Sequence, residues 1–107
     1  WENRLLIARS EAMGARVEGK VHLMHMILSD PALVDQVVSY LEGGADFGSL
    51  VTQYSTGPAA ARGGDIGWIR PADMVKELQA AIEALGSYDI SPPIESRGLY
   101  HIFKRLP

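Results

Sequence analysis

Histidine is the side chain whose ordinary titration falls nearest neutral pH, and this 107-residue chain has three, His22, His25 and His101. His25 lies in the apolar run Lys20 to Leu28 and His101 in the run Leu99 to Leu106, at opposite ends of the sequence. Each alone reads most simply as a core histidine satisfied by hydrogen bonds. If both runs are strands and central neighbours in one sheet, the two imidazoles meet and can do chemistry together. His22 is three residues from His25, so on a strand it faces the other way. A metal site built from all three histidines lacks ligands at the usual spacing, and no metal is expected. With no cysteine in the chain, thiolate sites, thiol nucleophiles and disulfides are excluded together.

A second feature is Arg62-Gly63-Gly64-Asp65-Ile66-Gly67-Trp68. A glycine-rich turn can cradle phosphate, but here no Lys-Ser/Thr follows and no long helix opens on it. The simpler reading is a sharp turn into a strand, with Asp65 accepting backbone N–H bonds. A third is Met74 and Leu78, four residues apart on an apolar face. Such residues usually fill a core, although methionine also suits a pocket for a small apolar ring.

The elements that must position these residues follow from periodicity. Glu2 to Met13 reads as a helix, the tail of a preceding domain. Lys20 to Leu28 reads as a strand. Asp30-Pro31 starts a helix with Val34, Val37, Val38 and Leu41 on one face, closed by Gly43-Gly44. Asp46 opens a shorter helix, Ser55 to Gly64 is loop, and Ile66 to Ile69 is a short strand. Pro71 opens another helix carrying Met74, Leu78, Ile82 and Leu85, ended by Gly86. The prolines in Ile90-Ser91-Pro92-Pro93-Ile94 confine it to a sheet edge. Leu99 to Leu106 is the final strand. This order predicts an α+β domain with a small antiparallel sheet.

Hydrophobic residues form 47% and charged residues 21% of the chain, which excludes disordered and collagen-like architectures. Ten Lys+Arg against thirteen Asp+Glu give a net charge of −3, with no basic run to track a phosphate backbone, so nucleic acid is not an expected partner. No apolar stretch approaches the roughly 18 residues of a membrane span. The chain begins at Trp1 without a signal segment, which reads as a domain excised from a longer protein. A cysteine-free composition suits an extracytoplasmic home such as the periplasm or cell envelope.

From Lys20 to Leu106 the sequence resembles the parvulin-type peptidyl-prolyl cis-trans isomerases, the PpiC or rotamase family. Val21 to Leu28 is similar to the family's first strand with its histidine. Gly44-Ala45-Asp46-Phe47-Gly48-Ser49-Leu50 resembles a "G-x-D-F-x-x-L" helix start, and Tyr54-Ser55 the aromatic-Ser that follows. Gly63-Gly64-Asp65-Ile66-Gly67-Trp68 is close to the "G-G-D-L-G-W" signature. Ser91-Pro92-Pro93-Ile94 matches "S-x-P-v", and Tyr100-His101-Ile102 the terminal "G-Y-H-I-I" strand. The resemblance implies a four-stranded antiparallel sheet surrounded by about four helices, with residues 1–19 as an extra helical segment and 20–107 as the isomerase domain. The strands holding His25 and His101 would be central.

The resemblance also implies roles. His25 and His101 would form the polar catalytic floor, with Ser55 bonded into it, and Met74, Leu78 and Ile66 would line a proline pocket. No cofactor is implied. The partner would be an unfolded or extended proline-containing polypeptide. Phosphopeptide-specific relatives carry a basic loop after the first strand, whereas Ser29-Asp30-Pro31 is short and acidic, so phosphopeptides are not expected. Three motifs depart from the pattern. Gly57 stands where Cys or Asp is usual, Leu78 where active members have Phe, and Gly98-Leu99 where "F-G" is typical. Two functions follow: an isomerase assisting protein folding, with reduced activity, or a non-catalytic polypeptide-binding, chaperone-like module built on a degenerate site.

Overall fold

The computed structural model describes residues 19–107. The expected helix over Glu2 to Met13 therefore lies outside the described residues. The elements run β1 (Val21–Leu28), α1 (Pro31–Glu42), α2 (Phe47–Tyr54), a 3₁₀ turn (Ala60–Arg62), β2 (Asp65–Ile69), a second 3₁₀ turn (Pro71–Asp73), α3 (Lys76–Glu83), β3 (Ile94–Ser96) and β4 (Leu99–Leu106). The four strands form one antiparallel sheet in the order β2-β1-β4-β3, so the first and last strands are its centre. Where about four helices were expected, the described residues hold three α-helices and two single 3₁₀ turns.

Alternation along the central strands divides the core. Met26, Leu28 and Ile102 pack with Val34 and Val37 of α1 and with Phe47, Leu50 and Val51 of α2. Leu23 and Phe103, on the other face, pack with Leu78 and Ile82 of α3 and with Leu85. Both helices on the first face start at an aspartate. Asp30 accepts from Ala32 N–H at 3.0 Å with Pro31 in the first helical turn, and Asp46 accepts from Ser49 N–H at 2.9 Å.

The single helix expected from Pro71 to Leu85 is broken. Pro71–Asp73 make one 3₁₀ turn, Met74 (φ −93°, ψ 161°) and Val75 (φ −62°, ψ 154°) are extended, and α3 starts only at Lys76. A continuous helix would turn Val75 about 100° away from Met74. The break lets both neighbours pack against the Leu23–Leu78–Phe103 cluster.

The prolines at the edge are accommodated as expected, by a device that sequence did not disclose. Ser91, only 4% exposed, donates its N–H to Phe103 O at 2.8 Å and accepts Phe103 N–H on its hydroxyl at 2.9 Å. Ile90 bridges Lys104 as well, so the edge is paired up to the point where Pro92 and Pro93 can offer no donor.

The Gly63-Gly64 turn packs closely against β1 and α2. Gly64 has φ +88°, and a Cβ placed there would lie 2.7 Å from His25 O and 3.1 Å from both methyls of Val51. Its own carbonyl accepts His25 N–H at 2.8 Å, so this turn sets the backbone beneath His25. Gly64→Ala combines a disfavoured φ with a backbone clash and should cost about 3 kcal/mol. Chemical denaturation measures it, and a cost below about 1 kcal/mol would contradict this packing.

Candidate active site

The antiparallel register pairs His25 with Phe103 and Ile27 with His101, which places the two histidines diagonally on the face that α3 covers. His25 Nε2 lies 2.9 Å from His101 Nδ1. The His25 ring also stacks on Phe103 at a centroid distance of 4.5 Å and an interplanar angle of 9°. The expected meeting of imidazoles from the two ends of the chain is thus present.

Burial and the neighbouring His101 push the His25 pKa down to about 4. Burial lowers that of His101 too, against a backbone hydrogen bond to Ser96 that favours its protonated form. Both rings are therefore neutral at pH 7. A neutral ring has a single N–H. With that of His101 on the Ser96 backbone, its Nδ1 is an acceptor and His25 Nε2–H donates to it.

Ser55 was expected to reach into this floor. Its Oγ instead accepts Ile27 N–H at 3.0 Å and Gly57 N–H at 3.2 Å, and bonds to neither imidazole. It anchors the loop to the end of β1, an attachment reinforced by Thr56 N–H donating to Ile27 O at 2.9 Å. Gly57 is held so close that an added Cβ would lie 2.8 Å from Ile27 Cδ1. Ile27 thus occupies the space into which a larger side chain at position 57 would project. Sequence reasoning missed Ile27, although strand alternation places it on the same face as His25.

A cavity of about 210 Å³ opens beside His101, lined by Val75, Leu78, Ser96, Arg97 and Leu99. Leu78 is 5% exposed and forms its apolar wall. Met74 and Ile66 are half-buried against the cluster to which Leu78 belongs, rather than among the lining residues of this cavity. Val75 was not singled out from sequence, because the helix break at Met74 and Val75 has no periodic signature, and Leu99 was singled out only as a departure from the family pattern.

His22 has a separate place. It bonds Asp65 Oδ1 through Nε2 at 2.9 Å and stacks on Trp68 at 5.1 Å. Asp65 also accepts Gly67 N–H at 2.8 Å, as the turn reading required. Burial opposes the charge on Asp65, but the Gly67 bond, His22 and Arg62 together hold its pKa below the usual range. Among the described residues no group of three or more His, Cys, Asp or Glu side chains is placed to hold a metal ion.

The family model "PPIC-type PPIASE domain" matches residues 31–106. The chain belongs to the PpiC-type peptidyl-prolyl isomerase family. It is 36% identical over 86 residues to the foldase protein PrsA of Geobacillus sp., covering 79% of this chain and 31% of that one. It is 39% identical over 74 residues to the chaperone SurA of Bordetella parapertussis, covering 68% of this chain and 14% of that one. The chain therefore spans less than a third of either curated relative. The solution structure of NmPin, the parvulin of Nitrosopumilus maritimus, superposes with a TM-score of 0.72 at 28% identity, covering 84% of this chain and 98% of that one. The parvulin fold expected from the motifs is thus the fold of this PpiC-type domain.

The depressed histidine pKa has a stability signature. An unfolded chain protonates His25 near 6.5, whereas the folded one resists until about 4. Between these values the unfolded state binds more protons, so stability is full above pH 6.5 and declines as pH falls toward 4. The loss from His25 should reach about 3 kcal/mol at the lower limit. Denaturant titrations from pH 7.5 to 4 measure it. Stability that stays level across that window would contradict a buried neutral pair.

Proposed function

We propose that this PpiC-type domain isomerises X–Pro bonds in unfolded or extended polypeptides, at a rate below that of relatives with an acidic or thiol side chain at the position of Gly57. The observation that carries the reading is the neutral His25–His101 pair beside the Leu78 cavity.

Rotation about an X–Pro bond meets a barrier of about 20 kcal/mol, because the amide loses its resonance as it twists. No bond to the protein forms and no proton must leave. The protein needs only to hold the twisted amide better than the planar one, and each 1.36 kcal/mol of that preference gives a factor of ten in rate. Leu78, with Met74 and Ile66 behind the same apolar layer, would grip the pyrrolidine ring. A dry apolar wall disfavours the charge-separated planar amide. The uncharged histidines would respond to the turning carbonyl through a donor and an acceptor held at fixed positions. Ser55 would act by positioning the loop. No metal or cofactor enters this chemistry.

Gly57 is what lowers the rate. It brings no dipole to the floor, and Ile27 occupies the adjacent space. The same packing supports a second reading, a polypeptide-binding groove without turnover in a larger folding factor. Substrates would not be phosphopeptide-specific: the link between β1 and α1 holds no cation, and Asp30 there is engaged in capping α1. A cysteine-free domain of this kind fits work outside the cytoplasm, in the periplasm or cell envelope. Residues 1–19 would belong to a neighbouring part of a longer protein, with 20–107 as the isomerase domain.

Exchange NMR on Ala-Pro peptides at high protein concentration decides between turnover and binding alone. Exchange faster than the uncatalysed reaction is expected. An uncatalysed rate, with the peptide shifting resonances of Leu78 and His101, would make the domain a binding module. Gly57→Asp alone should lose about 1–2 kcal/mol of stability through its contact with Ile27. Adding Ile27→Ala should recover part of that loss and raise the exchange rate. A double variant with unchanged exchange would remove Gly57 as the cause of weak activity.

A further inference from the structure

The turn joining β3 to β4 contains a residue poorly suited to it. Ser96 and Leu99 pair across the hairpin, leaving Arg97 and Gly98 as a two-residue loop with φ of +56° and +81°. Positive φ at both positions is the type I′ turn that matches strand twist, and it favours Asn or Gly at the first position. Arginine has no short polar group to bond locally in this region, so its presence strains the backbone. Such outliers collect at functional sites.

Arg97 does not sit on a remote surface. It is exposed, and it lines the same cavity as His101, Leu78, Val75, Ser96 and Leu99. It takes no part in the Arg70–Asp73 ion pair or the His22–Asp65 contact. Its charge is not wholly uncompensated. Glu77 accepts the Ser96 hydroxyl at 2.9 Å. Its own backbone N–H, then that hydroxyl, lower the Glu77 pKa, and Arg97 acts in the same direction. One anion thus already borders the cation. Glu77 therefore weakens, without cancelling, the attraction that Arg97 exerts on a further anion.

We propose that Arg97 is a specificity-determining residue that reads a carboxylate side chain, Asp or Glu, flanking the proline of a polypeptide in this groove. The guanidinium supplies planar, paired donors that match a carboxylate. The overall charge of −3 would by itself disfavour an acidic segment, so attraction has to be local. The assignment rests on the peptide-groove reading and adds to it the class of sequence preferred.

The test compares Ala-Glu-Pro-Ala, Ala-Lys-Pro-Ala and Ala-phosphoSer-Pro-Ala peptides with the intact chain, by exchange NMR and by chemical-shift titration. Glutamate should be preferred over lysine by about fivefold at low salt, the preference shrinking as salt is raised. Arg97→Gly should bring that ratio close to one while raising Tm by about 4 °C, because glycine relieves the turn. Arg97→Lys should keep part of the preference without the gain in Tm. A ratio near one in the original chain, or one unaltered in Arg97→Gly, would overturn the assignment while leaving the groove standing. Phosphoserine preferred over glutamate by about tenfold would reassign Arg97 to phosphate and overturn the carboxylate reading. Peptides that shift no resonance of His101 or Leu78 would overturn the groove, and the role of Arg97 with it.

Discussion

One hydrogen bond, from His25 Nε2 to His101 Nδ1, is the contact on which the site depends. It can form only because the first and last strands pair antiparallel at the centre of the sheet, in the register that sets His25 against Phe103 and Ile27 against His101. A slip of one residue would turn one ring to the opposite face. The register is held from both sides. Met26, Leu28 and Ile102 are sealed under α1 and α2, and Leu23 and Phe103 under α3. Burial favours the neutral form of both imidazoles, most strongly at His25.

The rest of the domain presses on that pair through backbone rather than side chains. Gly64 passes the carbonyl of His25 at a distance that admits no Cβ, and Ser55 ties the loop to β1 through two N–H groups. These are stiff attachments. They leave Gly57 against Ile27 and so determine that this rim of the site is apolar. The β3–β4 hairpin, which lines the cavity beside His101, carries the strained Arg97. The site is thus an uncharged floor with apolar packing at Ile27 and a cation at Arg97, an arrangement suited to holding a peptide and only partly to polarising its amide.

Much of this was legible in the residues. The capped helices at Asp30 and Asp46, the two histidine strands and the glycine turn each carry a local chemical reason that survives in the fold. The order of elements already predicted one small antiparallel sheet, and the family resemblance then put the two histidine strands at its centre. Other features were hidden because they arise from tertiary packing. The break at Met74 and Val75 has no signature in a pattern that fits a helix from Pro71 to Leu85. The engagement of Ser55 with backbone, rather than with the rings, depends on how closely the loop approaches β1. Ile27 was passed over as an ordinary strand residue, and its importance lies in what stands opposite it.

The state of the two rings tests the central claim most directly. Long-range ¹⁵N correlation spectra at pH 7 distinguish a protonated ring nitrogen from a bare one. The result expected is a single proton on each ring, on Nε2 of His25 and on Nε2 of His101, with Nδ1 of His101 bare and its signal displaced by the accepted bond. Two protonated nitrogens on either ring, or a freely averaging tautomer at His101, would contradict the neutral, fixed pair from which the function is argued.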